Sequence, residues 1–207
     1  MFVQMFSGTV TDAAAVRKLL VEWPAVAGRG ADGWLGSTAG ITDEGQLVAL
    51  VRFESQDAAR TNSDRPEQGQ WWESLAANLD GEASFFESSD VDEDLVGDPN
   101  AATFVQVMRG RVSNPARARE LAGRNPEEWA RLRPDILGSL TLAHDDGEYV
   151  MAIYFTSEAD ARQGEKADPP PEMMAAMQEM GALQVGETTY LDLREPWLLS
   201  PSPPSSE

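Results

Sequence analysis

The spacing of apolar residues in the first ninety positions predicts alternating strands and helices. Residues 2–10 carry apolar side chains on both alternating sets of positions, as in a strand with both faces covered. Thr11-Asp12 then offers a helix N-cap. Apolar residues at helical spacing follow it: Val16, Leu19, Leu20 and Trp23. A strand followed by a helix is therefore expected at the N-terminus.

The next stretch predicts a hairpin, a helix and a last strand. Residues 34–39 and 46–53 have strand character, and Asp43-Glu44-Gly45 between them is a turn signal. A helix opened by Ser55 is interrupted by a polar loop from Thr61 to Gln70, and it resumes over residues 71–79. A strand at about residues 82–87 closes a unit with the order βαββαβ.

This unit is present twice. Phe2-Val3-Gln4 recurs as Phe104-Val105-Gln106, and 20 of the 59 positions compared between 2–60 and 104–162 are identical. A repeat of this length is a domain rather than a solenoid repeat. The second copy predicts the same elements, with a helix opened by Asn114-Pro115, a loop at residues 163–171 and a last strand at 187–194.

Two βαββαβ units predict two ferredoxin-like halves in an α+β fold. Each antiparallel sheet carries helices on one face, so its other face needs a cover. The other copy provides that cover most simply, which predicts an intrachain dimeric α/β barrel. The expected boundaries are a first repeat at 1–88, an acidic linker at 89–102, a second repeat at 103–197 and a disordered tail at 198–207.

Charge and composition exclude several partners. The net charge is −19, from 16 Lys+Arg against 35 Asp+Glu, so neither nucleic acid nor an anionic membrane surface is expected as a partner. Cysteine is absent, which excludes disulfides and thiolate chemistry. No apolar run has the roughly 18 residues of a membrane span, and no signal peptide is expected ahead of the repeat. These features predict a cytoplasmic protein.

Both halves resemble the dimeric α/β-barrel superfamily, and within it the antibiotic-biosynthesis-monooxygenase-like group. The resemblance rests on the strand Phe2-Val3-Gln4-Met5-Phe6, the stretch Phe53-Glu54-Ser55-Gln56-Asp57-Ala58-Ala59-Arg60, the segment Asn62-Ser63-Asp64-Arg65-Pro66 and Trp71-Trp72-Glu73. It implies a pocket between sheet and helices in each unit. Members of the group include cofactor-free monooxygenases that oxidise phenolic polyketides, haem-degrading enzymes and proteins without known activity.

The haem-degrading branch combines a helix histidine, a helix tryptophan and an asparagine on the first strand. This chain has Gln4 and Gln106 on its first strands, and its only histidine, His144, falls at a predicted hairpin turn. Haem degradation is therefore not expected. A solvated turn is the simple interpretation of His144, because adjacent residues in a turn do not all converge on one ion; no metal site is expected.

Differences between the copies place the candidate ligand site in the first half. Trp71 and Trp72 are adjacent on a helix and point about 100° apart, so one can pack in the core while the other lines a cleft. Their counterparts are Met173 and Met174. The pocket is expected to use Trp34, Trp71 and Trp72 as walls, with Gln4 and Arg52 as polar contacts. Gln4 could instead make a structural bond, and Arg52 a surface ion pair.

Two functions remain open on the sequence. The first is a small-molecule-binding protein of the monooxygenase-like group, acting without a cofactor on an aromatic or phenolic compound. The second is a non-catalytic structural or stress-associated barrel, so whether the protein is an enzyme is left undecided. Exposed sheet edges would also allow a homodimer.

Overall fold

The computed structural model describes residues 1–123 and 126–201, which form two compact units. The first unit comprises residues 1–89 together with the segment from Glu195 onward, and the second comprises Asp90–Arg194. Among the described helices, none combines the length and apolar character needed to cross a membrane.

The first unit has the predicted order βαββαβ, with its second helical region split in two. Its elements are β1 (Phe2–Val10), α1 (Ala13–Val26), β2 (Trp34–Ile41), β3 (Gln46–Phe53), α2 (Gln56–Ser63), α3 (Pro66–Ala76) and β4 (Leu79–Ser88). Asp12 caps α1 by accepting a hydrogen bond from the Ala15 amide, and Ser55 caps α2 by accepting one from the Ala58 amide.

The polar loop predicted from Thr61 to Gln70 is wrong in extent. Helix α2 continues to Ser63 and α3 begins at Pro66, so only two residues separate them. Pro66 disfavours a helical conformation at Arg65, which is extended at φ −76° and ψ 133°. Proline itself suits the first position of a helix, so one helix ends and the next begins within a single turn. The polar side chains expected in a loop are therefore held on helices.

The second unit repeats this order. Its elements are β5 (Val91–Leu95), β6 (Phe104–Arg111), α4 (Pro115–Ala122), α5 (Pro126–Leu132), β7 (Ile136–Ala143), β8 (Glu148–Phe155), α6 (Glu158–Gly164), α7 (Pro171–Leu183) and β9 (Thr189–Leu193). The single helix expected after β6 is therefore two helices. The second helical region is split more widely than in the first unit, between Gly164 and Pro171.

Segments expected as linker and tail contribute strands to the two sheets. Val91–Leu95, inside the predicted linker, pairs with β7. The last strand, β10 (Trp197–Leu199), pairs with β2, although residues 198 and 199 were assigned to the tail. The strand orders are β10-β2-β3-β1-β4 and β5-β7-β8-β6-β9. Each of the two segments pairs its main chain with an open sheet edge. This pairing explains why acidic or proline-flanked sequence forms a strand. Residues 202–207 of the tail lie outside the described part.

Both faces of the first sheet are buried at its centre, as the pattern in residues 2–10 predicts. Phe2, Phe6 and Phe53 belong to the core between the sheet and its helices. On the opposite face, Val3, Val48 and Leu50 are fully buried. The alternation matters for function because neighbouring residues of one strand end in different environments.

Candidate functional site

A cavity of about 250 Å³ lies between the sheet and the helices of the first unit. Its wall consists mainly of apolar and aromatic side chains with a few amides and hydroxyls. The lining residues come from all three helices and from every strand of the sheet. Phe85 on β4 is half-exposed and also lines the cavity, so the cavity reaches the surface near this edge strand. Apolar cavities with few polar groups are typical of ligand sites.

Both tryptophans predicted on the second helical region line the cavity. The buried Trp71 donates a hydrogen bond from Nε1 to the Leu19 carbonyl at 3.0 Å, which joins α3 to α1. Trp72 points to the sheet, where its ring lies edge-on to Phe6 at 5.3 Å and beside Phe85 at 5.4 Å. The expected 100° separation therefore directs one ring to a neighbouring helix and the other to the sheet.

Trp34 supports the wall from behind rather than lining the cavity. Its ring packs edge-on against Trp23, with centroids 4.9 Å apart, and its Nε1 donates to the Ser37 hydroxyl at 3.0 Å. Trp23 and Ser37 both line the cavity. Trp23 also donates from Nε1 to Gln68 at 2.8 Å, so each of these indoles is oriented by a hydrogen bond. The sequence identified Trp23 only as a core residue of a helix.

Asn62 also lines the cavity, although it was not among the polar contacts expected from the sequence. Its side chain is 5% exposed, and its Oδ1 accepts a hydrogen bond from Arg65 Nη1 at 3.0 Å. Because arginine only donates, this bond fixes which end of the amide faces Arg65. The Nδ2 group has no hydrogen-bond partner within the described residues. It is thus an available donor at the cavity wall.

Gln4 lines the cavity, but its amide is bonded to the edge strand. Its Nε2 donates to Glu87, the residue directly opposite it on β4. The corresponding pair recurs in the second unit, where Gln106 Nε2 donates to Asp192 at 2.9 Å across β6 and β9. A cross-strand bond kept in both copies favours the structural interpretation of this glutamine.

Arg52 does not join the other predicted contacts. On β3 it stands between Val51 and Phe53, both of which line the cavity, so its side chain projects from the opposite face of the sheet. Its guanidinium lies over the backbone of Gly36 on β2, within 2.7 Å of where a Cβ would be. Because side chains alternate between the two faces of β3, an arginine between two lining residues cannot point into the cavity.

The lining contains no titratable side chain among the residues described. Its polar members are two glutamines, two serines and one asparagine: Gln4, Gln68, Ser37, Ser63 and Asn62. Divalent metals bound by proteins prefer imidazole, thiolate or carboxylate ligands, which this wall does not offer. The cavity therefore suits a ligand that is itself uncharged or that ionises within it.

His144 lies away from this cavity, in the second unit. Its ring nitrogen comes within 4.8 Å of carboxylate oxygens of Asp146 and Glu148, whereas adjacent turn residues were expected not to converge. Convergence occurs because alternate rather than adjacent residues share one side of the hairpin. Arg111 Nη2 also donates to Glu148 at 2.9 Å and to Asp146 at 3.2 Å. The hydrogen bond to Glu148, followed by the charge of Asp146, raises the pKa of Arg111. This guanidinium already pairs with both carboxylates.

Solved structures with the same fold cover nearly the whole chain. An anthrone oxidase-like protein matches with a TM-score of 0.69 and 12% identity, over 98% of this chain and 94% of its own. A candidate monooxygenase from Lactobacillus acidophilus NCFM matches at 0.67 and 12%, over 97% and 96%. One from Fusobacterium nucleatum matches at 0.70 and 11%, over 96% and 94%. No family model and no curated protein sequence matches the chain. These likenesses confirm the α+β fold.

Proposed function

We propose that the protein is a cofactor-free monooxygenase that oxidises a small aromatic or phenolic compound in the cavity of the first unit. The observation that carries the proposal is an aromatic-walled cavity lined by an oriented amide donor, Asn62 Nδ2. Proteins of the same fold named as monooxygenases or as anthrone oxidase-like add support. A location in the cytoplasm and the absence of a nucleic-acid partner remain predictions from composition.

The walls favour a flat and largely apolar substrate. Rings of Trp71, Trp72 and Phe6 present faces and edges against which another aromatic ring can stack. The cavity of about 250 Å³ lies just below the usual range for ligand sites, roughly 300–1,000 Å³, which favours a small compound. The substrate class is therefore a hydroxylated aromatic of a few fused rings.

Asn62 would stabilise negative charge on the substrate oxygen. When a phenol or its keto form loses a proton, charge develops on that oxygen, and a fixed N–H donor lowers its energy. The electron-rich ring carbon then combines with dioxygen, and loss of water leaves a new carbonyl: R₂CH₂ + O₂ gives R₂C=O + H₂O. Dioxygen is the oxidant, so the balance needs no other redox group.

Loss of the Asn62 donor is expected to lower kcat/KM by about 100-fold, the size of effect typical for one oriented donor. Asn62→Asp is the informative change, because its carboxylate still accepts from Arg65 but donates nothing. The measurement is oxygen consumption with anthrone as the probe. Asn62→Ala is the companion variant, since it removes both the donor and the Arg65 contact.

Binding is followed separately by quenching of tryptophan fluorescence, since three of the six tryptophans line the cavity and Trp34 packs against one of them. Quenching by anthrone without oxygen uptake would contradict the oxygenase and favour a binding protein. Neither quenching nor uptake across a series of hydroxylated aromatics would favour the non-catalytic barrel.

The pH dependence is expected to follow the substrate rather than the protein. Because no lining residue in the described part titrates, the ionised form must arise from the hydroxyl of the compound itself. Two probes whose hydroxyl pKa values differ by about two units should give kcat/KM profiles displaced by about two units. Identical midpoints for both probes would indicate a titrating protein group and contradict this part of the mechanism.

A further inference from the structure

A buried ion pair in the second unit occupies positions where the first unit has small residues. Arg133 donates from Nε and Nη2 to the Asp135 carboxylate at 3.0 and 2.8 Å. Their side chains are only 14% and 8% exposed. The residues 102 positions earlier are Ala31 and Gly33.

Backbone hydrogen bonds show that these positions correspond in space as well as in sequence. The Ala31 and Arg133 carbonyls each accept a hydrogen bond from the amide three residues further along the chain. The Gly33 carbonyl accepts one from the residue that follows β3, and the Asp135 carbonyl accepts one from the residue that follows β8. The four bonds are Trp34 N to Ala31 O and Ile136 N to Arg133 O, both 3.1 Å, Glu54 N to Gly33 O, 2.8 Å, and Thr156 N to Asp135 O, 2.9 Å. The side chains of the ion pair therefore arise from the same points of the fold.

The ion pair occupies the space that corresponds to one end of the cavity, beside Phe53 and Asn62. The Arg133 guanidinium lies over the ring of Phe155, 5.7 Å from its centroid. Phe53, the counterpart of Phe155, lines the cavity of the first unit. The counterpart of Asn62 is Gly164, where a Cβ would lie 2.9 Å from Asp135 Oδ2 and closer still to Arg133 Nε. Any side chain at position 164 would thus collide with the pair.

We infer that the Arg133–Asp135 pair closes the Phe155 end of the second unit's counterpart of the ligand cavity, so that a ligand cannot take the position there that Phe53 and Asn62 offer in the first unit. The pair supplies both the volume that excludes a ligand and the charges that satisfy each other. Asn62 and the pair are alternatives: the glycine needed to admit the pair removes the amide donor. The inference depends on the cavity and not on the proposed reaction.

Crystals pressurised with xenon test this without a substrate, because xenon enters empty apolar cavities. The wild-type protein is expected to show xenon beside Phe53 and none beside Phe155. The double variant Arg133→Ala/Asp135→Ala is expected to gain a xenon site beside Phe155. Xenon beside Phe155 in the wild type, or a folded double variant without that new site, would overturn the inference.

Two controls separate volume from charge. Arg133→Met/Asp135→Asn keeps most of the side-chain volume without charge and is expected to gain no xenon site. Arg119→Ala/Asp90→Ala removes an exposed ion pair of the same unit, with both side chains 47% exposed, and is also expected to gain none. If the double alanine variant does not fold, the wild-type result decides, since it requires no substitution. Failure of the oxygen-uptake assay would leave the xenon result unaffected.

Discussion

Replacing Arg133 alone by alanine is expected to lower the free energy of unfolding by about 3–5 kcal/mol. The loss arises because Asp135 would remain buried without its partner, not because the pair itself is strongly stabilising. Arg133 also donates towards the Ala161 carbonyl at 3.5 Å and covers the Phe155 ring, so packing is lost with the charge. Guanidinium denaturation followed by circular dichroism measures the change.

A double-mutant cycle tests the reason for this loss. Adding Asp135→Ala to Arg133→Ala removes the unpaired carboxylate, so the double variant should be more stable than the sum of the two single changes implies. The same cycle on Arg119 and Asp90 should give less than about 1 kcal/mol of coupling, because solvent screens that exposed pair. Equal coupling in both cycles would contradict a buried role for Arg133.

Trp71→Ala is expected to cost about 3–5 kcal/mol of unfolding free energy, the range for removing a large aromatic side chain from a core. Trp71 is 8% exposed, packs beside Trp23 with centroids 6.4 Å apart, and joins α3 to α1 through the Leu19 carbonyl. Its removal would enlarge the cavity and loosen the contact between these helices. Hydrogen exchange should therefore accelerate in α1 and α3 more than in the second unit.

Trp71→Phe is the graded control. It keeps an aromatic ring and removes the indole N–H, so a cost of about 1–2 kcal/mol is expected, a lost hydrogen bond plus a small cavity. Trp72→Ala should cost less than Trp71→Ala, because Trp72 is already half-buried at the cavity. A Trp72→Ala variant less stable than Trp71→Ala would show that the sheet contact with Phe6, and not the helix contact, holds α3 in place.

The two copies have diverged in how they use one framework. Residues that both keep have structural roles, as the Gln4–Glu87 and Gln106–Asp192 bonds show. By the inference above, residues that differ decide whether a ligand can enter the space between sheet and helices. Where the first unit has Ala31, Gly33 and Asn62, the second has Arg133, Asp135 and Gly164, and a Cβ at Gly164 would lie 2.9 Å from Asp135 Oδ2. Trp71 and Trp72, which are larger than their counterparts Met173 and Met174, belong to the unit with the cavity and form part of its wall.

Much of the fold was predictable because it depends on local pattern and on the repeat. The strand periods, the caps Asp12 and Ser55 and the turn at Gly45 all lie in short segments of sequence. The continuous helix at Asn62 was missed because a run of polar residues is typical of a loop, although Pro66 can equally begin a helix. The strand Val91–Leu95 was missed because an acidic segment gains strand pairing only from a neighbouring edge.

The candidate site was predictable only in part, because its contacts join residues that are distant in the sequence. Composition and spacing by themselves determined the duplicated α+β unit, the aromatic character of the first copy and its lack of a histidine partner. Only the tertiary structure decided that the Arg52 guanidinium lies over Gly36, that Arg65 orients the Asn62 amide, and that Arg133 and Asp135 meet beside Gly164. Periodicity assigns a side chain to a face, but the contact it makes there depends on residues distant in the chain, which packing alone brings together.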